Sequence, residues 1–296
     1  MVNEEVDIII IGAGAAGSAA AWNLSNSNYK IVCLEQGPQL DYKSFPKNKS
    51  EFIKNNNFNI NPNNRKLDND YPIDDSESPI SVANFNAVGG STILYSGHFP
   101  RMHPSDFLTR SKDNVGEDWL FEYSDLEEYY DINDKMMKVS GLSGDPSYPP
   151  IKNLLPPVPL GLSGEKIAKG FSKLNWDWWP SYSSIISNHY EYNKKKGIFN
   201  SGLSVDQTYI PLAKKNGVDF RANCRVVKIN LDNFGNAKEA IYENENKDII
   251  ALQAKIIILA CSGAGTPRLL LNSANKSNPN GLSNNTGLVG KNLMLH

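Results

Sequence analysis

The residues nearest the N-terminus that are suited to chemistry are three glycines, Gly12, Gly14 and Gly17. Their Gly-x-Gly-x-x-Gly spacing follows an apolar run and precedes small residues, which predicts a strand, a tight turn and a helix. In such a turn the first glycine permits the bend, the second lets the backbone approach a pyrophosphate, and the third allows close helix–strand packing. The helix N-terminus would then offer free N–H groups and a positive dipole end to phosphate.

An acidic residue follows at a distance that strengthens this interpretation. Glu35 stands 18 residues beyond Gly17, and the dinucleotide-binding pattern has an acid roughly 20 residues on. Its carboxylate would accept hydrogen bonds from a ribose diol and would repel a 2′-phosphate. The pattern does not choose between NAD and FAD, because both carry an ADP half. A strand–helix turn with no ligand is the remaining alternative.

A second pair of glycines opens the segment Gly89-Gly90-Ser91-Thr92. Glycine lets a backbone come close to a flat or anionic ligand, and the two hydroxyls are able to hydrogen-bond such a ligand. Taken alone, the segment is equally compatible with an ordinary glycine turn.

The elements predicted around the first glycines form a βαβ unit. Residues 6–11 and 30–34 are predicted as buried strands, with a helix over 14–26 between them. The following stretch, 41–78, is rich in Asn, Lys, Pro and Asp. It is predicted as a long surface excursion.

Two capping-box patterns predict helix N-termini further along the chain. One precedes a helix over 125–139, and the other precedes a helix that Asn216-Gly217 closes. Prolines between 146 and 159 exclude regular structure there. The two patterns are Ser124 with Glu127 and Ser204 with Gln207.

The C-terminal third is predicted to be rich in strands. Residues 225–231, 237–242 and 248–253 are predicted as an antiparallel meander, with turn residues between the first two. Residues 255–260 are predicted as a separate buried strand of the parallel-sheet kind, followed by the small residues 261–265. These strands and the βαβ unit predict an α/β fold.

Composition excludes several functional classes. With 40% hydrophobic residues, a net charge of -2 and a pI near 6.1, the chain of 296 residues is predicted to be globular and has no broad basic field for nucleic acid. No apolar run reaches the roughly 20 residues needed to span a bilayer, and the N-terminus lacks the basic residues of a secretory signal. The three scattered cysteines are typical of a reducing compartment, so a cytoplasmic location is expected.

Five ordered segments resemble the glucose–methanol–choline (GMC) family of FAD-dependent oxidoreductases. The resemblance extends over nearly the whole chain, is weakest over 41–80 and 140–200, and leans toward the bacterial sugar-acid and alcohol dehydrogenase branch. The segments are VDIIIIGAGAAGSAAAWNL with CLEQG, NAVGGSTILYSGHFPRMHPSDF, TYIPLAKKNGV, ILACSGAGTPRLLLNS and NNTGLVGKNLMLH.

The resemblance implies a discontinuous Rossmann-like FAD-binding domain, formed by 1–100 and 205–296, with 101–204 as part of a substrate-binding cap. It implies non-covalent FAD, because Leu94 stands where some members attach the flavin through a histidine. The implied FAD contacts are Gly12, Gly14, Ala15 and Gly17 at the pyrophosphate, Glu35 and Gln36 at the ribose, Gly89, Gly90, Ser91 and Thr92 at the diphosphate and flavin, Val226 at adenine, and Ala260, Ser262 and Gly263 beneath the ADP half.

The activity implied is oxidation of the CH–OH group of an alcohol, sugar or sugar acid, with hydride passing to flavin and then to an unknown electron acceptor. The family's catalytic histidine pair does not match any histidine of this chain, so it is expected in a C-terminal segment absent here, which would be a partner of this chain. By itself the chain is then expected to bind FAD without turnover. An NAD-dependent dehydrogenase and a non-catalytic nucleotide-binding fragment are the alternatives. The histidines are His98, His103, His189 and His296.

Overall fold

The computed structural model describes residues 4–41, 45, 56–65, 70, 73–187 and 202–293. The chain separates into two compact units. The sheet unit comprises Met1–Pro46, Ser50–Leu94 and Ser204–His296, and the central unit comprises Lys47–Lys49 and Tyr95–Leu203. The division into a FAD-binding domain and a substrate cap stays a prediction.

One six-stranded sheet, in the order β3-β2-β1-β6-β5-β4, organises the described part of the sheet unit. β1 pairs in parallel with both β2 and β6, and β2 pairs in parallel with β3, whereas β4, β5 and β6 pair antiparallel. The predicted α/β class is therefore confirmed. The strands are β1 (Glu5–Ile11), β2 (Ile31–Leu34), β3 (Asp219–Arg221), β4 (Arg225–Leu231), β5 (Ala237–Glu243) and β6 (Ile249–Leu259).

β6 corrects the prediction of two separate strands over 248–253 and 255–260. It is one strand of 11 residues that changes partner along its length. Its first half pairs antiparallel with β5, from Ile249 to Gln253, and its second half pairs in parallel with β1, up to Leu259. No turn residue interrupts the sequence at Ala254, so nothing in the chain ends the strand there.

Helices lie in both units. The described helices are α1 (Ala15–Leu24), α2 (Pro62–Arg65), α3 (Thr109–Asp113), α4 (Tyr123–Met136), α5 (Gly161–Lys173), α6 (Tyr209–Lys215) and α7 (Ser262–Asn272), together with 3₁₀ turns at Asn56–Phe58, Gly90–Ile93 and Pro104–Phe107.

Both predicted capping boxes are wrong, although both helices exist. The cap of α4 is formed by Glu122 and Asp125, whose carboxylate accepts the Glu122 N–H at 2.8 Å, so the helix begins before Ser124 is reached. The Ser204 hydroxyl bonds to the nearby Asp206 carboxylate instead of capping a helix, and α6 begins only after an intervening turn. The predicted C-terminal end of α6 is confirmed, since Asn216 and Gly217 follow the helix and Gly217 has φ +97°.

The core of the sheet unit lies along β1 and β2, whose apolar runs are covered on both faces. Ile9, Ile10 and Leu34 are completely or almost completely buried, and each stabilises the fold by roughly 2 kcal/mol. On one side of the sheet unit, α1 packs against α6, with the rings of Trp22 and Tyr209 edge-to-face at 5.5 Å.

A second apolar cluster corrects the prediction that 41–78 is only a surface excursion. The rings of Phe58 and Phe85 stack at 6.2 Å, and Phe45 packs against the same group. Phe58 and Arg65 are both buried. The described part of this stretch therefore carries buried structure of its own, which its polar composition conceals.

The central unit is held by a buried cation. Arg101 donates to Asp134 and Asp131, and also to the Tyr123 hydroxyl at 3.0 Å.

Residues 141–160 contain no helix or strand beyond an isolated bridge at Leu155, as the prolines predicted. Across the described ranges of both units, no helix combines the length and apolar character needed to cross a membrane.

Candidate functional site

The glycine turn between β1 and α1 is built by close backbone contacts. Gly12 has φ +101°, and a Cβ there would lie 2.4 Å from the carbonyl oxygen of Ala260. A Cβ on Gly17 would lie 1.8 Å from the carbonyl oxygen of Gly12. Both glycines are therefore required by the packing of the chain itself, whatever the turn binds.

Gly14 is different, because no protein atom lies within 4 Å of where its Cβ would stand. Its backbone is extended, with φ -78° and ψ -162°, a conformation that any residue adopts. It precedes α1 without a side-chain cap, so the first N–H groups of the helix face this open space. Protein packing among the described residues therefore does not require glycine at this position, and the space beside it is open to a ligand.

Glu35 links the glycine turn to the end of β2. One carboxylate oxygen accepts the Ala13 N–H at 2.9 Å, and the other accepts the Gly37 N–H at 2.8 Å. Burial raises the pKa of Glu35 to about 7, against the lowering effect of these backbone hydrogen bonds. Each oxygen still has a lone pair for a further donor, so the carboxylate is able to serve the turn and a ligand together.

The carboxyl ends of β1, β2 and β6 meet at a cavity of about 510 Å³, within the range of small-molecule and cofactor sites. Parallel α/β sheets bind ligands in this position, outside the carboxyl ends of their strands. The sequence-predicted residues that line the cavity are Gly12, Gly14, Ala15, Glu35, Gln36, Gly90, Ser91, Thr92, Val226, Ala260 and Ser262.

The second glycine pair packs on the first. Gly89, with φ +111°, donates its N–H to the Ala13 carbonyl at 2.9 Å. A Cβ on Gly90 would lie 2.9 Å from the Cα of Gly14. The structure therefore brings the two glycine segments, which are about 75 residues apart in sequence, to one wall of the cavity.

The two hydroxyls of this segment have different uses. The Thr92 hydroxyl donates to the Gly89 carbonyl at 2.6 Å and accepts the Val205 N–H at 3.2 Å. The Ser91 oxygen accepts the Phe85 N–H at 3.1 Å, which leaves its hydrogen available for another acceptor. Of the two, Ser91 is the better placed to donate to a ligand.

Three of the predicted residues do not line the cavity. Gly17 and Gly89 lie behind it, in the packing contacts just described. Gly263 lies in the first turn of α7 with no protein atom within 4 Å of a Cβ position. Their assignment as cofactor contacts stays a prediction, and the structure gives the first two a packing role.

Several lining residues were not predicted from the sequence. Asn84, Asn86 and Arg268 carry polar groups and line the cavity, although none of them was among the predicted cofactor contacts. Cys261 also lines the cavity, and burial raises the pKa of its thiol to about 11. Such a thiol is protonated at neutral pH and is a poor nucleophile.

The described histidines belong to the central unit. The His98 ring nitrogen lies 2.9 Å from the Ser181 hydroxyl, and His103 stacks on Tyr148 with ring centroids 4.3 Å apart. Both rings thus have partners within that unit. His189 and His296 lie outside the described residues.

The cavity fits the ADP half of a dinucleotide. The open space above Gly14 lies at uncapped N–H groups of a 10-residue helix, which suits a pyrophosphate. The Glu35 carboxylate retains capacity to accept from ribose hydroxyls. Val226 adds an apolar wall to the same cavity.

Two family models match the chain. Residues 166–296 match GMC oxidoreductase, and residues 10–54 match an NAD(P)-binding Rossmann-like domain. The second match covers the β1–α1 turn, Glu35 and the end of β2.

Similar curated proteins are oxidoreductases by name. The chain is 38% identical to 2-methyl-1,2-propanediol dehydrogenase of Mycolicibacterium austroafricanum, over 99% of this chain and 55% of that protein. It is 28% identical to the fructose dehydrogenase large subunit of Gluconobacter japonicus, over 100% of this chain and 60% of the relative. The chain thus spans little more than half the length of these relatives.

A solved structure shares the fold. Pyridoxine 4-oxidase from Mesorbium loti superposes with a TM-score of 0.61 at 17% identity, covering 90% of this chain and 52% of the other.

Proposed function

We propose that this chain, whose residues 166–296 match GMC oxidoreductase and which is 38% identical to a curated dehydrogenase, is the FAD-binding region of an enzyme that oxidises a CH–OH group. The observation that carries the proposal is the cavity at the carboxyl ends of β1, β2 and β6. There, open space above Gly14 adjoins a buried carboxylate at Glu35. A flavin supplies, when bound, a hydride acceptor for the carbon that carries the hydroxyl.

The residues of the cavity bind and orient the ADP half. The N–H groups at the start of α1 would hold the pyrophosphate, and Glu35 with Gln36 would hold the ribose. Val226 and the segment that starts α7, including Ser262, would close the cavity around the adenosine. Ser91, with its hydroxyl hydrogen available, would donate to a phosphate or flavin oxygen.

FAD is proposed to be non-covalent. Leu94 has no nucleophilic atom, and it stands directly after the 3₁₀ turn Gly90–Ile93, at the position where some family members carry a flavin-linked histidine. The isoalloxazine ring would therefore be retained by packing and hydrogen bonds alone. Denaturation should release it intact.

The donor is proposed to be a small alcohol, polyol or sugar. This rests on the two relatives named for a propanediol and for fructose, and on the low net charge, which gives no field for a large anionic substrate. The electron acceptor is left open. A nicotinamide enzyme is the competing function, since its cofactor would present the same ADP half to this cavity.

The absorption spectrum of the purified protein tests the proposal. We expect flavin bands in the native protein, and after denaturation and filtration we expect all of the chromophore, identified as FAD by mass spectrometry, in the filtrate. Flavin retained on the polypeptide would contradict non-covalent binding. A colourless protein that takes up NAD but not FAD would support the competing function.

A further inference from the structure

A buried ion pair lies next to the nucleotide cavity. The Arg65 guanidinium contacts both carboxylate oxygens of Asp70, at 2.7 Å and 2.6 Å. The side chains of Arg65 and Asp70 are 1% and 3% exposed. Arg65 also donates to the carbonyl oxygens of Asn59 and Asn84, and it lies 5.0 Å above the Phe85 ring. Such a pair is costly to bury, so its presence is weak evidence of a purely stabilising role.

Two amides connect this pair to the cavity. The Asn86 amide nitrogen donates to Asp70 Oδ1 at 2.7 Å. The Asn86 amide oxygen in turn accepts from Gln36 Nε2 at 2.8 Å. Both Gln36 and Asn86 line the cavity, and Asn86 is buried. The contacts form a relay that runs from Arg65 through Asp70 and Asn86 to Gln36.

The chemistry of the relay fixes which way each amide points. An ionised carboxylate only accepts hydrogen bonds, so Asp70 obliges Asn86 to present its NH₂ group. The Asn86 amide oxygen then faces Gln36. Because this oxygen only accepts hydrogen bonds, Gln36 donates to it with its own NH₂ group. The Gln36 oxygen Oε1 is thereby reserved as an acceptor, and among the described residues it receives no hydrogen bond.

We propose that the Arg65–Asp70 pair is a positioning device that, through Asn86, holds Gln36 as a hydrogen-bond acceptor toward the adenosine half of the nucleotide. An acceptor held in this way favours a ribose hydroxyl or an adenine amine, and it opposes a phosphate oxygen at the same place. Gln36 thus adds to Glu35 in selecting a nucleotide without a 2′-phosphate. This inference rests on the proposed function.

A purely structural role for the network makes a different prediction. Arg65 joins the backbones at Asn59 and Asn84, and loss of that link would weaken the binding of all nucleotides alike. A positioning role changes the ratio of affinities between two nucleotides that differ only at the 2′ position. That ratio is insensitive to a general loss of stability.

The test compares ADP-ribose with 2′-phospho-ADP-ribose by isothermal titration calorimetry on flavin-free protein. The variants are Asn86→Leu, which cuts the relay and leaves Arg65 and Asp70 paired, Gln36→Met, which removes the acceptor, and the double variant. We expect each single variant to lower the preference for ADP-ribose about three- to tenfold. The double variant should lower it no further, because both changes remove one coupled interaction.

Two results would overturn the proposal: a folded Asn86→Leu variant with an unchanged ratio, or a double variant in which the two effects add. If leucine impairs folding, Asn86→Ser is too short to bridge Asp70 and Gln36 and serves in its place. Failure of the wild-type protein to bind ADP-ribose at all would contradict the proposed function and the relay with it. Binding with an insensitive ratio would contradict the relay alone.

Discussion

Glu35 gives the sharpest quantitative prediction, because its carboxyl group is buried and yet held by two backbone N–H groups. Burial raises its pKa from an ordinary value of 4.5 to about 7. The folded protein therefore binds this proton more tightly than the unfolded chain does. In the nucleotide-free protein, stability should fall as pH rises from about 4.5 to about 7 and then level off.

The size of this change in stability follows from the difference between the two pKa values of Glu35. At about 1.4 kcal/mol for each pH unit, the rise from 4.5 to about 7 corresponds to roughly 3 kcal/mol of unfolding free energy. In Glu35→Gln this contribution is absent, because an amide does not titrate. The unfolding free energy of the wild type minus that of Glu35→Gln should therefore decrease by roughly 3 kcal/mol between pH 4.5 and pH 7.5.

Urea denaturation of the nucleotide-free wild type and Glu35→Gln, at half-unit pH intervals, measures this difference. Subtraction removes the titration of all other groups. A difference that does not change with pH would refute the idea that Glu35 is held in a poorly solvated site. Ribose hydroxyls that donate to the ionised carboxylate should also lower its pKa, so ADP affinity should fall by up to about tenfold per pH unit below pH 7.

Three further predictions concern the cavity walls and the packing behind them. Gly17→Ala should cost roughly 3 kcal/mol by urea denaturation, because its Cβ would lie 1.8 Å from the Gly12 oxygen. Thr92→Ala should cost about 1–3 kcal/mol in the same assay, since two internal hydrogen bonds are lost. Cys261 should react slowly with a thiol reagent at pH 8 and rapidly after unfolding, because burial raises its pKa to about 11; rapid reaction of the native protein would contradict its placement.

The parts of the fold that the sequence predicted well are those where local pattern and tertiary structure agree. The apolar run of β1, the glycine turn and the acid at the end of β2 each have a local cause, and they recur in the structure as expected. The meander strand Arg225–Leu231 was predicted with its observed bounds for the same reason.

The errors in the sequence predictions arise where a contact outside the local pattern determines the structure. Local sequence does not reveal that β6 exchanges β5 for β1 as its partner, so a single strand was predicted as two. Ser204 has the residue type of a helix cap, but Asp206 competes for its hydroxyl. Neither error is corrected by a better reading of local periodicity.

In the candidate site, too, local features were predicted from the sequence and contacts between distant residues were not. The two glycine segments were predicted individually, but their contact through the Gly89 N–H and the Ala13 carbonyl joins residues that are distant in sequence. The relay behind Gln36 was missed because Arg65 and Asp70 lie in an asparagine-rich stretch whose composition predicts a solvated loop. The functional interest of Arg65 and Asp70 lies in their burial, and burial cannot be predicted from the composition of the stretch.

The proposed function requires a pyrophosphate to occupy the open space above Gly14. The most direct test is calorimetric titration of ADP into Gly14→Val, with Gly170→Val as the matched control, because neither site has a protein atom within 4 Å of a Cβ. We expect both variants to fold and Gly170→Val to bind ADP as the wild type does, while Gly14→Val loses binding by at least about a hundredfold, roughly 3 kcal/mol. A folded Gly14→Val variant with wild-type ADP affinity would contradict the account.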